Sequence, residues 1–180
     1  MNIANTITLI RIALVPVFMV FYSLNLPYFN ILAALVFGIA SFTDFVDGYL
    51  ARKLDIISNF GKIMDPLADK ILIIGALICM VDQNEVSIIS AMIIIARELY
   101  VTSLRVVATA EGKVIAAGMW GKVKTVLQIF AVLAGILFKN FYIYNFTVAN
   151  VVMAVAAFFT LVSGIMYTVE NIDVFKAKKT

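Results

Sequence analysis

Long apolar runs fill almost the whole of this 180-residue chain, and they decide what it can fold into. Runs of about 20 residues match the hydrocarbon thickness of a bilayer. Inside that layer every backbone polar group needs an internal partner, which favours helices. The runs lie at about 8–24, 30–51, 62–81, 86–108, 122–139 and 146–168. They predict an all-α integral membrane protein, a six-transmembrane-helix bundle with a short N-terminal interfacial helix segment. Charged residues make up 14% of the chain, against about a quarter in soluble domains. Too little sequence remains outside the runs for a soluble domain, no linker is rich in Pro, Gly or Ser, and no repeat is visible. Residues 1–180 therefore read as a single membrane domain.

The first run is not expected to be a cleaved signal peptide. Its nearby positive charge, Arg11, lies inside the run, and no small-x-small site follows before Pro27. Cys79 is the single cysteine and falls within an apolar run, so it reads as a packed core thiol. Basic residues are unevenly spread. Arg52, Lys53 and Lys62 lie between runs two and three, Arg105, Lys113 and Lys122 between four and five, and Lys176, Lys178 and Lys179 close the chain. The alternate loops hold Asp82, Glu85 and Lys139. This asymmetry predicts both termini on the cytoplasmic side of a multi-pass protein. The basic residues are dispersed along the chain and form no basic soluble module, so no nucleic-acid partner is expected.

Carboxylates beside hydrocarbon are costly and point by default to a functional site. Four of them stand in one stretch: Asp44 and Asp47, then Asp65 and Asp69. At about 100° per residue, Asp44, Asp47, Gly48 and Ala51 share one helix face, and Gly61, Asp65 and Asp69 share another. A short link would turn the two faces toward each other. Like charges brought that close repel, and divalent cations remove the repulsion. Oxygen-only ligands, in a chain with no His, suit Mg²⁺ or Mn²⁺. Gly48, Ala51 and Gly61 allow a large ligand close to the backbone, and Arg52 offers a fork that matches phosphate oxygens. Taken singly, Asp65 before Pro66 reads equally well as a helix cap, and Asp44 and Asp47 as water-facing helix-end residues.

The spacing D-x2-D-G-x2-A-R-x8-G-x3-D-x3-D runs unbroken from Asp44 to Asp69. It resembles the signature of the CDP-alcohol phosphatidyltransferase family, integral-membrane enzymes of phospholipid synthesis. The resemblance implies a CDP-linked donor, an alcohol acceptor, two divalent cations (Mg²⁺ or Mn²⁺) and release of CMP. It implies that Asp44, Asp47, Asp65 and Asp69 bind metal. It implies too that Asp69 serves as the base and that Gly48, Ala51, Arg52 and Gly61 meet the donor. It further implies a homodimer. Chemically, two metal ions about 4 Å apart stabilise attacking and leaving oxygens together. With no His available, a carboxylate is the natural base for the acceptor hydroxyl.

Asn5-x2-Thr8-x2-Arg11 keeps polar groups on one side of an apolar helix. One reading is an interfacial helix with Thr8 as a cap and Arg11 snorkelling to the headgroups. The pattern is also similar to the branch of the family that makes phosphatidylglycerophosphate. So are Gly121-Lys122-Val123-Lys124-Thr125 and the Arg97-Glu98 to Arg105 segment, although Ala4 stands where a proline often precedes the Asn. That similarity implies CDP-diacylglycerol and sn-glycerol 3-phosphate as substrates. Arg105, Lys122, Lys124, Thr8, Arg11 and Asn5 are then candidates for the acceptor phosphate. Inositol phosphate, serine and phosphatidylglycerol are acceptors elsewhere in the family. Arg97-Glu98 reads equally well as a buried ion pair and is left out of the site. A cation-coupled transporter is the alternative of another class. Transport sites lie near the midplane, often in repeated halves, whereas these carboxylates sit at one edge of one half. Glycines 118, 121, 135 and 164 are candidates for close helix packing.

Overall fold

The computed structural model describes the backbone of residues 3–54, 59–110, 118–139 and 141–172, and the side chains of 6–43, 64, 67–109, 118–139 and 141–172. Within those residues the chain forms helices α1 (Ile3–Ser23), α2 (Pro27–Leu54), α3 (Asn59–Asp82), α4 (Ile88–Ala110), α5 (Met119–Leu137) and α6 (Val148–Glu170). A small hairpin, β1 (Tyr142–Ile143) and β2 (Phe146–Thr147), precedes α6. It pairs Tyr142 with Thr147 and Ile143 with Phe146. Each helix coincides with an expected apolar run to within a few residues. The protein is an all-α membrane protein. Among the described residues three helices, α1, α5 and α6, are long and apolar enough by themselves to cross a membrane. The others mix apolar stretches with the charges that build the site.

One expectation is overturned at the N-terminus. No separate interfacial segment exists among the described residues, because α1 is continuous from Ile3 to Ser23. Thr8 and Arg11 are fully buried, so Arg11 does not snorkel. Its Nε donates to the Ala40 carbonyl of α2 at 3.3 Å, a contact that ties these two helices together. Asn5 lies outside the described side chains.

Helix α1 packs along α2 and α3, α5 along α6, and α4 lies against α6 and α3. Phe18 anchors the first group, with ring centroids 5.7 Å from both Tyr22 and Phe37. Leu77, Met80, Val132, Ile136 and Met153 continue the core across α3, α5 and α6. Cys79 is buried within it, as its apolar setting implied. Two of the glycines have a clear steric reason. A Cβ on Gly135 would stand 2.2 Å from Met80 Cε and 3.2 Å from Ala149 Cβ, so its absence lets α5 and α6 close together. A Cβ on Gly164 would stand 3.1 Å from Arg97 Cγ, so that glycine makes room for a charged side chain of α4.

At the end of the bundle away from the Asp44–Asp69 motif, three elements are clasped by charge. Glu85, in the α3–α4 link, accepts from the Tyr22 hydroxyl of α1. The Lys139 ammonium lies 2.6 Å from Glu85 Oε1 and 4.6 Å from the Tyr22 ring centroid. Thr147, the cap of α6, donates to the Glu85 carbonyl at 2.8 Å, and its hydroxyl accepts from Asn150 N at 3.1 Å. Glu85 and Lys139 read from sequence as loop charges, yet both are mostly buried. The adjoining Phe141, Tyr142, Tyr144 and Phe146 are exposed, an aromatic girdle of the kind found at membrane interfaces. Glu85→Ala would leave the mostly buried Lys139 ammonium without its ion-pair partner. The expected loss is about 3 kcal/mol, read as a lowered unfolding temperature in detergent, and Glu85→Ala/Lys139→Ala should regain part of it.

Candidate active site

The motif residues fall where two helices carry them. Asp44, Asp47, Gly48, Ala51 and Arg52 belong to the C-terminal turns of α2, and Gly61, Asp65 and Asp69 to the N-terminal turns of α3. Helical backbone runs through both halves, so the three- and four-residue steps keep one stripe on each, and α2 and α3 pack together. The side chains of Asp44, Asp47, Gly48, Ala51, Arg52, Gly61 and Asp65 lie outside the described residues. Asp69 is described and is the point from which the site can be built.

The Asp69 side chain is about one-third exposed, at 34%, so a ligand can reach it. Its Oδ2 accepts from Lys70 Nζ at 2.9 Å. The same ammonium lies 3.0 Å from Glu98 Oε2 of α4. Glu98 is 3% exposed, and its other oxygen receives Lys124 of α5. Arg97 Nη1 stands 3.5 Å from that oxygen. Lys124 also donates to Gln128 Oε1 at 3.3 Å, and Gln128 Nε2 donates to Thr160 Oγ1 of α6 at 3.0 Å. Arg97 Nη2 donates to Ser163 Oγ at 2.8 Å. One connected set of ionic and polar contacts thus crosses α3, α4, α5 and α6 through the bundle interior. Buried charges persist only when partnered in this way.

The expected acceptor residues divide between two settings. Lys124 is buried and committed to Glu98. Arg105 sits farther along α4, where its Nε donates to the Tyr167 hydroxyl at 3.0 Å and its guanidinium lies 5.4 Å from that ring's centroid. Lys122 is exposed in the first turn of α5. Arg97 lies between the two settings, within electrostatic reach of both Arg105 and Lys124. Thr8 and Arg11 lie on α1.

The sequence reading weighs Glu98 but leaves it outside the site, and does not single out Lys70 or Gln128. The signal for Glu98 was present, since it is an acidic residue deep in an apolar run, but its neighbour Arg97 offered a sufficient partner. Arg97 is indeed a partner, and two more come from α3 and α5, separated from Glu98 by 28 and 26 residues of chain. Between α4 and α6, Ile93, Arg97, Tyr100, Leu161, Gly164 and Ile165 line a mostly apolar groove of about 490 Å³.

Comparison with known proteins decides what this arrangement belongs to. The profile of the family described as CDP-alcohol phosphatidyltransferase matches residues 1–162. The chain belongs to the CDP-alcohol phosphatidyltransferase family. It is similar to a protein of Bacillus subtilis (strain 168) named CDP-diacylglycerol--glycerol-3-phosphate 3-phosphatidyltransferase, with 43% identity over 97% of each chain. Relatives with the same name from Rickettsia bellii (strain RML369-C) and Haemophilus influenzae (strain ATCC 51907 / DSM 11121 / KW20 / Rd) are 36% and 35% identical. The former covers 92% of this chain and 93% of its own length, the latter 92% and 91%. As a CDP-alcohol phosphatidyltransferase the chain is an enzyme, and the resemblance carried by Asp44 to Asp69 is borne out for the family.

The Arg105–Tyr167 contact separates hydrogen bonding from stacking. Tyr167→Phe keeps the ring and removes one hydrogen bond to a charged group, with an expected loss of about 1.5–3 kcal/mol at most. Tyr167→Ala also opens a cavity, for which about 3–5 kcal/mol is expected. Thermal unfolding of both variants in the same detergent checks the order.

Proposed function

We propose that this enzyme transfers the phosphatidyl group of CDP-diacylglycerol to sn-glycerol 3-phosphate, giving phosphatidylglycerophosphate and CMP. The observation that carries the reading is likeness along nearly the whole chain to relatives named for that donor and acceptor. The unbroken motif on two packed helices, ending in a reachable Asp69, supports the chemistry.

Four carboxylates at helical spacing on α2 and α3, in a chain without His, fit a hard cation with oxygen ligands. Asp44, Asp47, Asp65 and Asp69 would hold two Mg²⁺ or Mn²⁺ ions, which when bound neutralise the donor pyrophosphate and stabilise the leaving phosphate. Gly48, Ala51 and Gly61 leave space for the cytidine diphosphate, and Arg52 binds its phosphates. Asp69 takes the proton of the acceptor hydroxyl. The hydroxyl oxygen then bonds to the phosphorus that carries diacylglycerol. The bond from that phosphorus to the bridging oxygen breaks, and CMP leaves with that oxygen. Arg105 and Lys122 meet the acceptor phosphate. Lys124 adds its charge from a deeper position, and Asn5, Thr8 and Arg11 complete the polar side of α1.

The six helices are proposed to span a bacterial plasma membrane with both termini and the motif on the cytoplasmic side, in line with the positions of Arg52, Arg105 and Lys122. The acyl chains stay in the lipid while the headgroup enters the bundle. A homodimer is proposed, and cross-linking in membranes should yield a dimer band. Monomer alone would overturn that assembly.

Purified protein with Mg²⁺ or Mn²⁺ and CDP-diacylglycerol, offered glycerol 3-phosphate, serine or inositol phosphate separately, tests the reaction. CMP should appear with glycerol 3-phosphate alone and vanish with EDTA. Turnover with another acceptor instead would keep the family and overturn the acceptor. Asp69→Asn should abolish turnover while metal-dependent donor binding is largely kept, and surviving activity would remove Asp69 as the base.

A further inference from the structure

We infer that Glu98 is a positioning residue for phosphatidyl transfer: its buried carboxylate sets where Lys70 stands, and through Lys70 it sets Asp69. The inference rests on the reading of Asp69 as the base.

A carboxylate placed only to neutralise a buried cation needs one partner. Glu98 has three, Lys70 at 3.0 Å, Arg97 at 3.5 Å and Lys124 in direct contact, drawn from α3, α4 and α5. Lys70 bridges, with Asp69 Oδ2 at 2.9 Å on one side and Glu98 Oε2 at 3.0 Å on the other. Among the described residues two carboxylates (Asp69, Glu98) and three cations (Lys70, Arg97, Lys124) meet in this cluster. The pattern reaches beyond Arg97 to a motif residue, Asp69, by way of Lys70.

The bridge restrains Lys70. A lysine ammonium on a four-carbon stem is a flexible point charge, and two opposed carboxylates fix it on the line between them. Without Glu98, Lys70 would close wholly onto Asp69 and occupy the carboxylate that the acceptor hydroxyl needs, or swing away from it. Asp69, Lys70, Glu98, Lys124 and Gln128 line a cavity of about 10 Å³, room for about one water molecule. Gln128 and Thr160 brace Lys124 from behind, so Glu98 is held from α5 and α6 while it acts on α3.

The test uses the full chain in detergent. Bound CDP-diacylglycerol in the presence of Mg²⁺ counts folded sites, and CMP release gives kcat and KM for each substrate. Glu98→Gln keeps the shape and removes the charge. It should lower kcat per donor-binding site by about 10- to 100-fold, with KM for CDP-diacylglycerol within about threefold of wild type. Glu98→Asp should regain a substantial part of the lost turnover. Lys70→Gln should lower kcat as well, and the double variant should fall no further than the worse single one, because both act through Asp69. Wild-type kcat per site in Glu98→Gln, or kcat losses that simply add in the double variant, would overturn the inference. If Glu98→Gln does not fold, Glu98→Asp and Lys70→Gln decide, and unaltered kcat in Lys70→Gln sinks the idea. Asp69→Asn separates the two levels. Inactive Asp69→Asn beside fully active Glu98→Gln removes this inference alone, whereas active Asp69→Asn removes the base reading beneath it.

Discussion

A carboxylate in the middle of an apolar bundle must be surrounded by donors, and that requirement at Glu98 organises the rest of this protein. Satisfying it draws Lys70 from α3, Lys124 from α5 and Arg97 from α4 itself to one spot. Those cations bring Asp69, Gln128 and Ser163 with them. Hydrocarbon contacts between lipid-bathed helices are non-directional and gain little over contacts with lipid. Directional bonds to one buried acceptor therefore carry much of the information about which helix lies beside which.

Small residues complete this arrangement. The helices approach closely where a side chain is missing, as at Gly135 against Ala149, and charge is admitted where one is missing, as at Gly164 against the Arg97 stem. A bundle that had only apolar complementarity would have no reason to leave such a slot. The slot and the guanidinium belong to one design in which α6 is shaped around a residue of α4.

Much of this was legible in the sequence, for physical reasons that can be named. Helix extents were readable because hydrocarbon thickness fixes the length of an apolar run, and each run reappears as a helix. The motif was readable because Asp44 to Asp69 is local, with each step a helical repeat. What escaped were long-range pairings. Glu98 was assigned to adjacent Arg97, while its other partners lie 28 and 26 residues away along the chain. Glu85 and Lys139 looked like ordinary loop charges because nothing local marks them as a pair. Snorkelling is one of two sequence readings of Arg11, and its Ala40 carbonyl contact, a backbone atom of another helix, leaves no trace in composition.

The Tyr22–Glu85–Lys139 clasp has a mechanical meaning. It fastens α1, the α3–α4 link and the end of α5 at one extremity of the bundle, with α6 tied in through Thr147. The Glu98 cluster holds α3, α4 and α5 at a second place, beside Asp69. Rods pinned at two separate points cannot pivot about either one alone.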